Sequence, residues 1–204
     1  SLESREQELR QSASEMAQTL DHVSETLSLQ RQYAREWVAH AAEPVNLIRL
    51  IEDAVAMQLG GFEQRGVKLR REYPSGPVLV EGDRTKLVRV LVTLCKNALG
   101  PLDEPDCCSD IEPEIGIGVI VEGTDDGRRA VVTVSDNGAG FTQPPQSLTS
   151  DRKSTDKPGG SGMGLYAARR IVEAHGGTLS LSSDGAGMGV AARMSLPVAQ
   201  EISK

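Results

Sequence analysis

"VSDNGAGF", residues 134–141, ends an alternating apolar run on a carboxylate and then on residues with almost no side chain. Val131, Val132, Thr133 and Val134 lead to Asp136, and Asn137, Gly138 and Gly140 follow. Asn-Gly is a common hairpin signal and Asp caps turns, so the stretch by itself admits a plain turn. A turn does not explain why a half-buried strand should finish on a charge. The remaining sequence decides between turn and site.

The chain has 204 residues, enough for one ordinary domain and an appendage. Two Phe, three Tyr and the single Trp37 leave the core to Leu, Val, Ile and Ala. A net charge of −7 argues against nucleic acid as a partner, because phosphate binding needs a basic face. Cys95, Cys107 and Cys108 have no metal-ligand spacing, and adjacent cysteines do not readily pair, which suits a reducing cytoplasm. No apolar run approaches the ~20 residues that span a bilayer, so no membrane contact is expected of this segment. It could still be the cytoplasmic part of a membrane-bound receptor.

Residues 1–42 read as one long helix. Leu9, Ala13, Met16, Leu20, Val23 and Leu27 alternate steps of four and three, a heptad seam that calls for a partner helix, and a homodimer through this helix is expected. Pro44 in "AAEPVNL" reads as a linker and opens a second region over 43–204. There "LIRLIEDAVAMQLGGFEQRG" is a helix, "VKLRREY" and "PVLVEGD" are strands, and Asp83 N-caps the helix "RTKLVRVLVTLCKNAL". "IGIGVIVEG" and "RRAVVTVSD" alternate as strands. The stretch from Asn137 to about Gly160 is long for a connection, as lids are. The helix "GMGLYAARRIVEAHGG" and a final hairpin follow; the Gly-rich "GGFEQRG" and "DGAGMGV" read as a helix end and a hairpin turn. The order predicts an α+β fold, an α/β sandwich whose mixed β-sheet is covered on one face by helices, preceded by the heptad helix.

"LCKNAL" with Asn97, "DNGAGF" with Asp136 and "GGSGMGLYAARRIVEAHGG" with Gly162 and Gly164 together resemble the N, G1 and G2 boxes of the histidine-kinase catalytic domain. That ATP-binding fold is shared with gyrase, mismatch-repair ATPases and a heat-shock chaperone. The likeness runs from about Glu43 to Pro197, and residues 27–55 resemble the second dimerisation helix and linker of two-component sensor kinases. The resemblance implies that Asp136 accepts a hydrogen bond from the adenine amino group. It implies that Gly138 and Gly140 let the backbone lie against the base at φ > 0. Asn97 would place its amide oxygen on Mg²⁺. Gly162, Gly164 and Leu165 would bring a helix N-terminus to the phosphates, and Lys153 and Lys157 would contact them from the lid.

The chain also departs from the family pattern. Thr93 stands where a second Asn is usual and where related ATPases carry a water-activating Glu, which disfavours a hydrolase. "ALGPL" lacks the Lys or Tyr that often follows the N box, the lid lacks its Phe, and Val190 to Ala192 replace Thr and Phe. These changes leave a weak or degenerate nucleotide site open. His22 lacks the Pro that follows an acceptor histidine and stands too close to Pro44, His40 borders the linker, and His175 reads as a structural helix end. The acceptor is therefore expected on a helix outside this chain. The implied activity is transfer of the ATP γ-phosphoryl to that histidine and then to an Asp of a response-regulator receiver domain. The rival is a pseudokinase scaffold that signals through the dimer helix.

Overall fold

A computed structural model of the chain describes residues 43–100, 112–123, 127–141 and 163–199. The chain divides into units Ser1–His40 and Ala41–Lys204, and every described residue belongs to the second. The heptad seam, His22, His40, the cysteines at 107 and 108, Lys153, Lys157 and Gly162 lie outside the described residues.

In chain order the elements are β1 Glu43–Asn46, α1 Leu47–Gln64, β2 Lys68–Glu72, β3 Leu79–Gly82, α2 Arg84–Leu99, β4 Glu114–Glu122, β5 Arg129–Asp136, α3 Met163–Ala174, β6 Thr178–Ser182 and β7 Ala191–Pro197. A five-stranded sheet runs β2-β4-β5-β7-β6, and β1 and β3 form a second, two-stranded sheet. The β2–β4 pair is parallel and the other pairs are antiparallel, so the sheet is mixed as the sequence predicts.

Parity along the strands decides which face is covered. Ile115, Ile117 and Val119 of β4, Ala130, Val132 and Val134 of β5, and Met194 and Leu196 of β7 all enter the core. They meet Leu50, Ile51, Ala54 and Val55 of α1 and Leu87, Val90, Leu91 and Leu94 of α2. Cys95 sits in the same core, and burial pushes its thiol up to about 12, so it behaves as a small apolar side chain.

Pro44 does not begin a linker. It lies in β1, which pairs with β3 from Glu43↔Gly82 to Asn46↔Leu79. A proline is tolerated there because β1 is an edge strand and owes no N–H to a second neighbour. Asn46 then caps α1 by accepting the Ile48 N–H at 3.1 Å, so strand and helix meet without a spacer.

The start of α2 is fixed from two sides. Asp83 accepts the Lys86 N–H at 3.1 Å, and its own N–H donates to His175 Nε2 at 3.0 Å. Since Nε2 accepts, the ring proton is on Nδ1, which donates to Ile171 O at 2.7 Å. His175 is thus structural, as its place at a helix end suggests, and the ring leaves room only for glycine at position 82. A Cβ there would meet His175 Cδ2 at 2.6 Å.

Burial raises the Asp83 pKa, but hydrogen bonds and charge from Lys86 outweigh it and hold the carboxyl below its ordinary value. A depressed folded pKa gives stability that is present above the unfolded value of about 3.9 and lost as pH falls through the folded one. Asp83→Ala should therefore cost about 1 kcal/mol at pH 7. Urea unfolding should show that difference shrinking below about pH 4.

Candidate functional site

The site is built outward from the last residue of β5. Ile115↔Asp136 continues the ladder to β4, while the ladder to β7 ends at Ser135↔Ala191. Asp136 N–H reaches past that end to Val190 O at 2.9 Å. By strand parity Asp136 follows Val132 and Val134 onto the helix-covered side, half-buried at the rim. Its Oδ1 accepts the Gly138 N–H at 2.9 Å, which turns the chain immediately after the carboxylate.

Asn137 has a role that sequence reading missed. Its Oδ1 accepts Glu114 N–H and its Nδ2 donates to Glu112 O, both at 2.8 Å. Asn137 N–H also donates to Glu114 O at 3.3 Å. The side chain thus fastens the turn to the beginning of β4. The only signal in the sequence was Asn itself, the residue whose amide mimics a peptide group.

Gly138 and Gly140 behave differently from each other and from expectation. Gly140 has φ +63°, whereas Gly138 is not among the glycines of positive φ. What comes close to Gly140 is protein. A Cβ there would collide with Gly185 O and would sit 2.8 Å from Ser183 Oγ. The loop between β6 and β7, read from sequence as a hairpin turn, packs directly on the Asp136 loop.

Asn97 lies exposed in the last turn of α2. One turn earlier, Thr93 Oγ1 donates to Arg89 O at 2.9 Å. A Cβ on Gly164 would lie 3.3 Å from Thr93 Cγ2, so the first turn of α3 rests on the last two turns of α2. Leu165, half-buried, packs on the core. The fold therefore brings the N-box helix against both the start of the G2 helix and β5, since α2 packs on α3 and on β5.

Residues 82–200 match the family described as histidine kinase-, DNA gyrase B-, and HSP90-like ATPase. The chain belongs to that family. Among relatives, it is 34% identical over 156 residues to the sensor protein FixL of Bradyrhizobium diazoefficiens, covering 76% of this chain and 29% of FixL. It is 28% identical over 180 residues to the sensor protein TdiS of Thauera aromatica, covering 85% of this chain and 32% of TdiS. The chain thus spans less than a third of either relative's length. In fold it is similar to the mycobacterial sensor histidine kinase MprB, with TM-score 0.60, 23% identity, and coverage of 77% of this chain and 97% of that one. A full-length ShkA structure matches with TM-score 0.60 and 20% identity, over 80% of this chain and 32% of that chain. The mixed sheet with helices on one face is thus the histidine-kinase ATP-binding fold.

Within that family site, no cluster of three or more His, Cys, Asp or Glu that could cage a metal is found among the described residues. Mg²⁺ bound with a nucleotide usually takes one or two protein oxygens and completes its octahedron with phosphate and water.

Asn137→Ala should remove two side-chain bonds and lower the unfolding free energy by about 1–2 kcal/mol. Asn137→Asp should cost at least as much, because an oxygen would then face Glu112 O. Urea unfolding of both variants checks this, and an unchanged midpoint in both would contradict the fastening role.

Proposed function

We propose that this chain is the ATP-binding catalytic portion of a sensor histidine kinase. The observation that carries the reading is the half-buried Asp136 at the end of the central strand, a strand on which α2 packs while α2 also packs on α3. In this reading Asp136 accepts from the adenine amino group, and Asn97 gives its amide oxygen to Mg²⁺. Gly162, Gly164 and Leu165 set the N-terminus of α3 toward the phosphates, where its N–H groups and dipole favour negative charge. Lys153 and Lys157 approach the phosphates from the lid. When bound, Mg·ATP supplies the γ-phosphoryl group.

A histidine nitrogen on a dimerisation helix accepts that group, and an Asp of a response-regulator receiver domain receives it next. The acceptor is not His175, whose ring nitrogens are both engaged by backbone. The chain pairs with a second copy through the 1–42 helix, with 43–204 as the catalytic domain, in the cytoplasm. Among the described residues no helix is long and apolar enough to cross a membrane. The family match, the sensor-protein relatives FixL and TdiS, and the ShkA neighbour, solved with AMPPNP, support this reading over the scaffold one.

Two outcomes test it. Asparagine has a single side-chain oxygen and cannot serve Gly138 N–H and an adenine amino group with separate oxygens. Asp136→Asn should therefore weaken ATP binding by about 1–3 kcal/mol in a calorimetric titration. No ATP binding by the unmodified protein, or equal binding by both, would end the nucleotide reading. Separately, the 204-residue chain given labelled ATP should gain no acid-labile, base-stable phosphate. Label that vanishes in His22→Gln would make His22 the acceptor and overturn the assignment to another helix.

A further inference from the structure

The loop Ser183–Val190 has no assigned part in nucleotide binding, yet it holds the Asp136 loop along its whole length. Asp136 N–H donates to Val190 O at 2.9 Å, Gly189 N–H to Gly138 O at 3.0 Å, and Gly187 N–H to Ala139 O at 2.6 Å. At the far end Phe141 N–H donates to Ser183 Oγ at 3.1 Å. Ser183 Oγ in turn donates to Gly185 O at 3.0 Å and accepts Gly185 N–H at 3.3 Å, so one hydroxyl shapes its own loop and anchors the other.

The contact leaves no room for a side chain at Gly140 or Gly189. Gly187 and Gly189 have φ +76° and +66°, and a Cβ on Gly189 would strike Asp136 O. Met188, between them, is 68% exposed, so the clasp is made by backbone and not by the side chain at its tip.

We propose that Ser183, Gly187 and Gly189 are positioning residues for base recognition: they fix the path of residues 136–141 and thereby the selectivity of the site for an adenine nucleotide. The proposal rests on the nucleotide reading of Asp136 above. A carboxylate selects an amino group over a carbonyl only if it is held where that amino group arrives. Residues 137–141 belong to no helix or strand, and beyond the tie of Asn137 to β4 it is the clasp that supports them.

The 204-residue protein is titrated calorimetrically with Mg·ADP and with Mg·GDP, as are Gly189→Ala, Ser183→Ala, Ser183→Thr, and two controls. Gly66→Ala introduces a similar backbone strain, at φ +62° with nothing within 4 Å of the new Cβ, far along the chain from the clasp. Met188→Ala changes the tip without touching the clasp. Gly189→Ala should bind ADP about tenfold or more weakly, as ångström-scale misplacement in a site does, and its preference for ADP over GDP should narrow. Ser183→Ala should lose about threefold to tenfold, with Ser183→Thr restoring most of it. Both controls should keep wild-type affinity and preference, although Gly66→Ala lowers the thermal midpoint.

Hydrogen exchange of the Phe141 amide reads the clasp without ligand and covers the case in which Gly189→Ala fails to fold. It should be protected in the wild type and Ser183→Thr and lose protection in Ser183→Ala. Folded Ser183→Ala with wild-type ADP affinity and preference overturns the proposal and leaves the nucleotide reading standing. Wild-type protein that binds neither nucleotide overturns that reading and the proposal with it.

Discussion

β5 is paired along both edges, to β4 from Glu122↔Arg129 through Ile115↔Asp136 and to β7 from Arg129↔Pro197 to Ser135↔Ala191. A strand so held cannot slip by one residue without turning Ala130, Val132 and Val134 out of the core. Burying those side chains therefore fixes Asp136 as well, because it shares their parity. The carboxylate is carried to the helix side by the hydrophobic effect acting on its neighbours. Its depth follows from where the β7 ladder stops. Had β7 paired one residue further, Asp136 would be enclosed by sheet on both edges and its charge would need an internal partner.

The helices above β5 are held by a second non-local tie. His175, at the end of α3, takes the N–H of Asp83 at the start of α2. At the other end of the same pair, Gly164 lies on Thr93. The two helices that carry the family's N and G2 boxes are thus pinned at both ends, once by a hydrogen bond and once by a close approach. Arg129 adds to the first end by donating to Gly176 O at 3.1 Å and to Ser195 Oγ at 2.7 Å. Two fixed ends leave helix translation as a costly motion. The described chain therefore leaves β5 and enters α3 from firmly held elements.

The local elements were legible in the sequence because their signals are local. Alternation marked β4, β5 and the terminal hairpin, a one-sided apolar stripe marked α2, and Asp83 was readable as its cap. β1 was not legible. Pro44 reads as a break until its partner β3 is known, and that pairing lies beyond any window of neighbours. The same limit applies at the site. Asp136 and Asn97 were found through a family resemblance, since neither parity nor spacing says that α2 packs on β5 and α3 together. Gly140 was assigned the right conformation for the wrong reason, because its close neighbour comes from residues 183–189. Asn137 was read as a turn former and proved to be a fastener, a distinction that depends on where Glu112 and Glu114 end up.

Thr93 bears on what chemistry the site could favour. Its hydroxyl is engaged with Arg89 O and its methyl faces Gly164, so it presents no group able to take a proton from water. The position is close to the start of α3, where the phosphates would lie in the nucleotide reading. A carboxylate in that place would both activate water and repel phosphate charge; a threonine does neither, and it fills the gap between two helices. Phosphoryl transfer needs little covalent help from the protein beyond alignment and neutralisation of charge. A nucleophile with its own lone pair, such as a neutral imidazole, needs no base to remove a proton before attack, whereas water does. In the nucleotide reading, the side chain at this position would therefore disfavour hydrolysis by what it lacks. In the same reading the cost to transfer would be small, because an imidazole would arrive already able to attack.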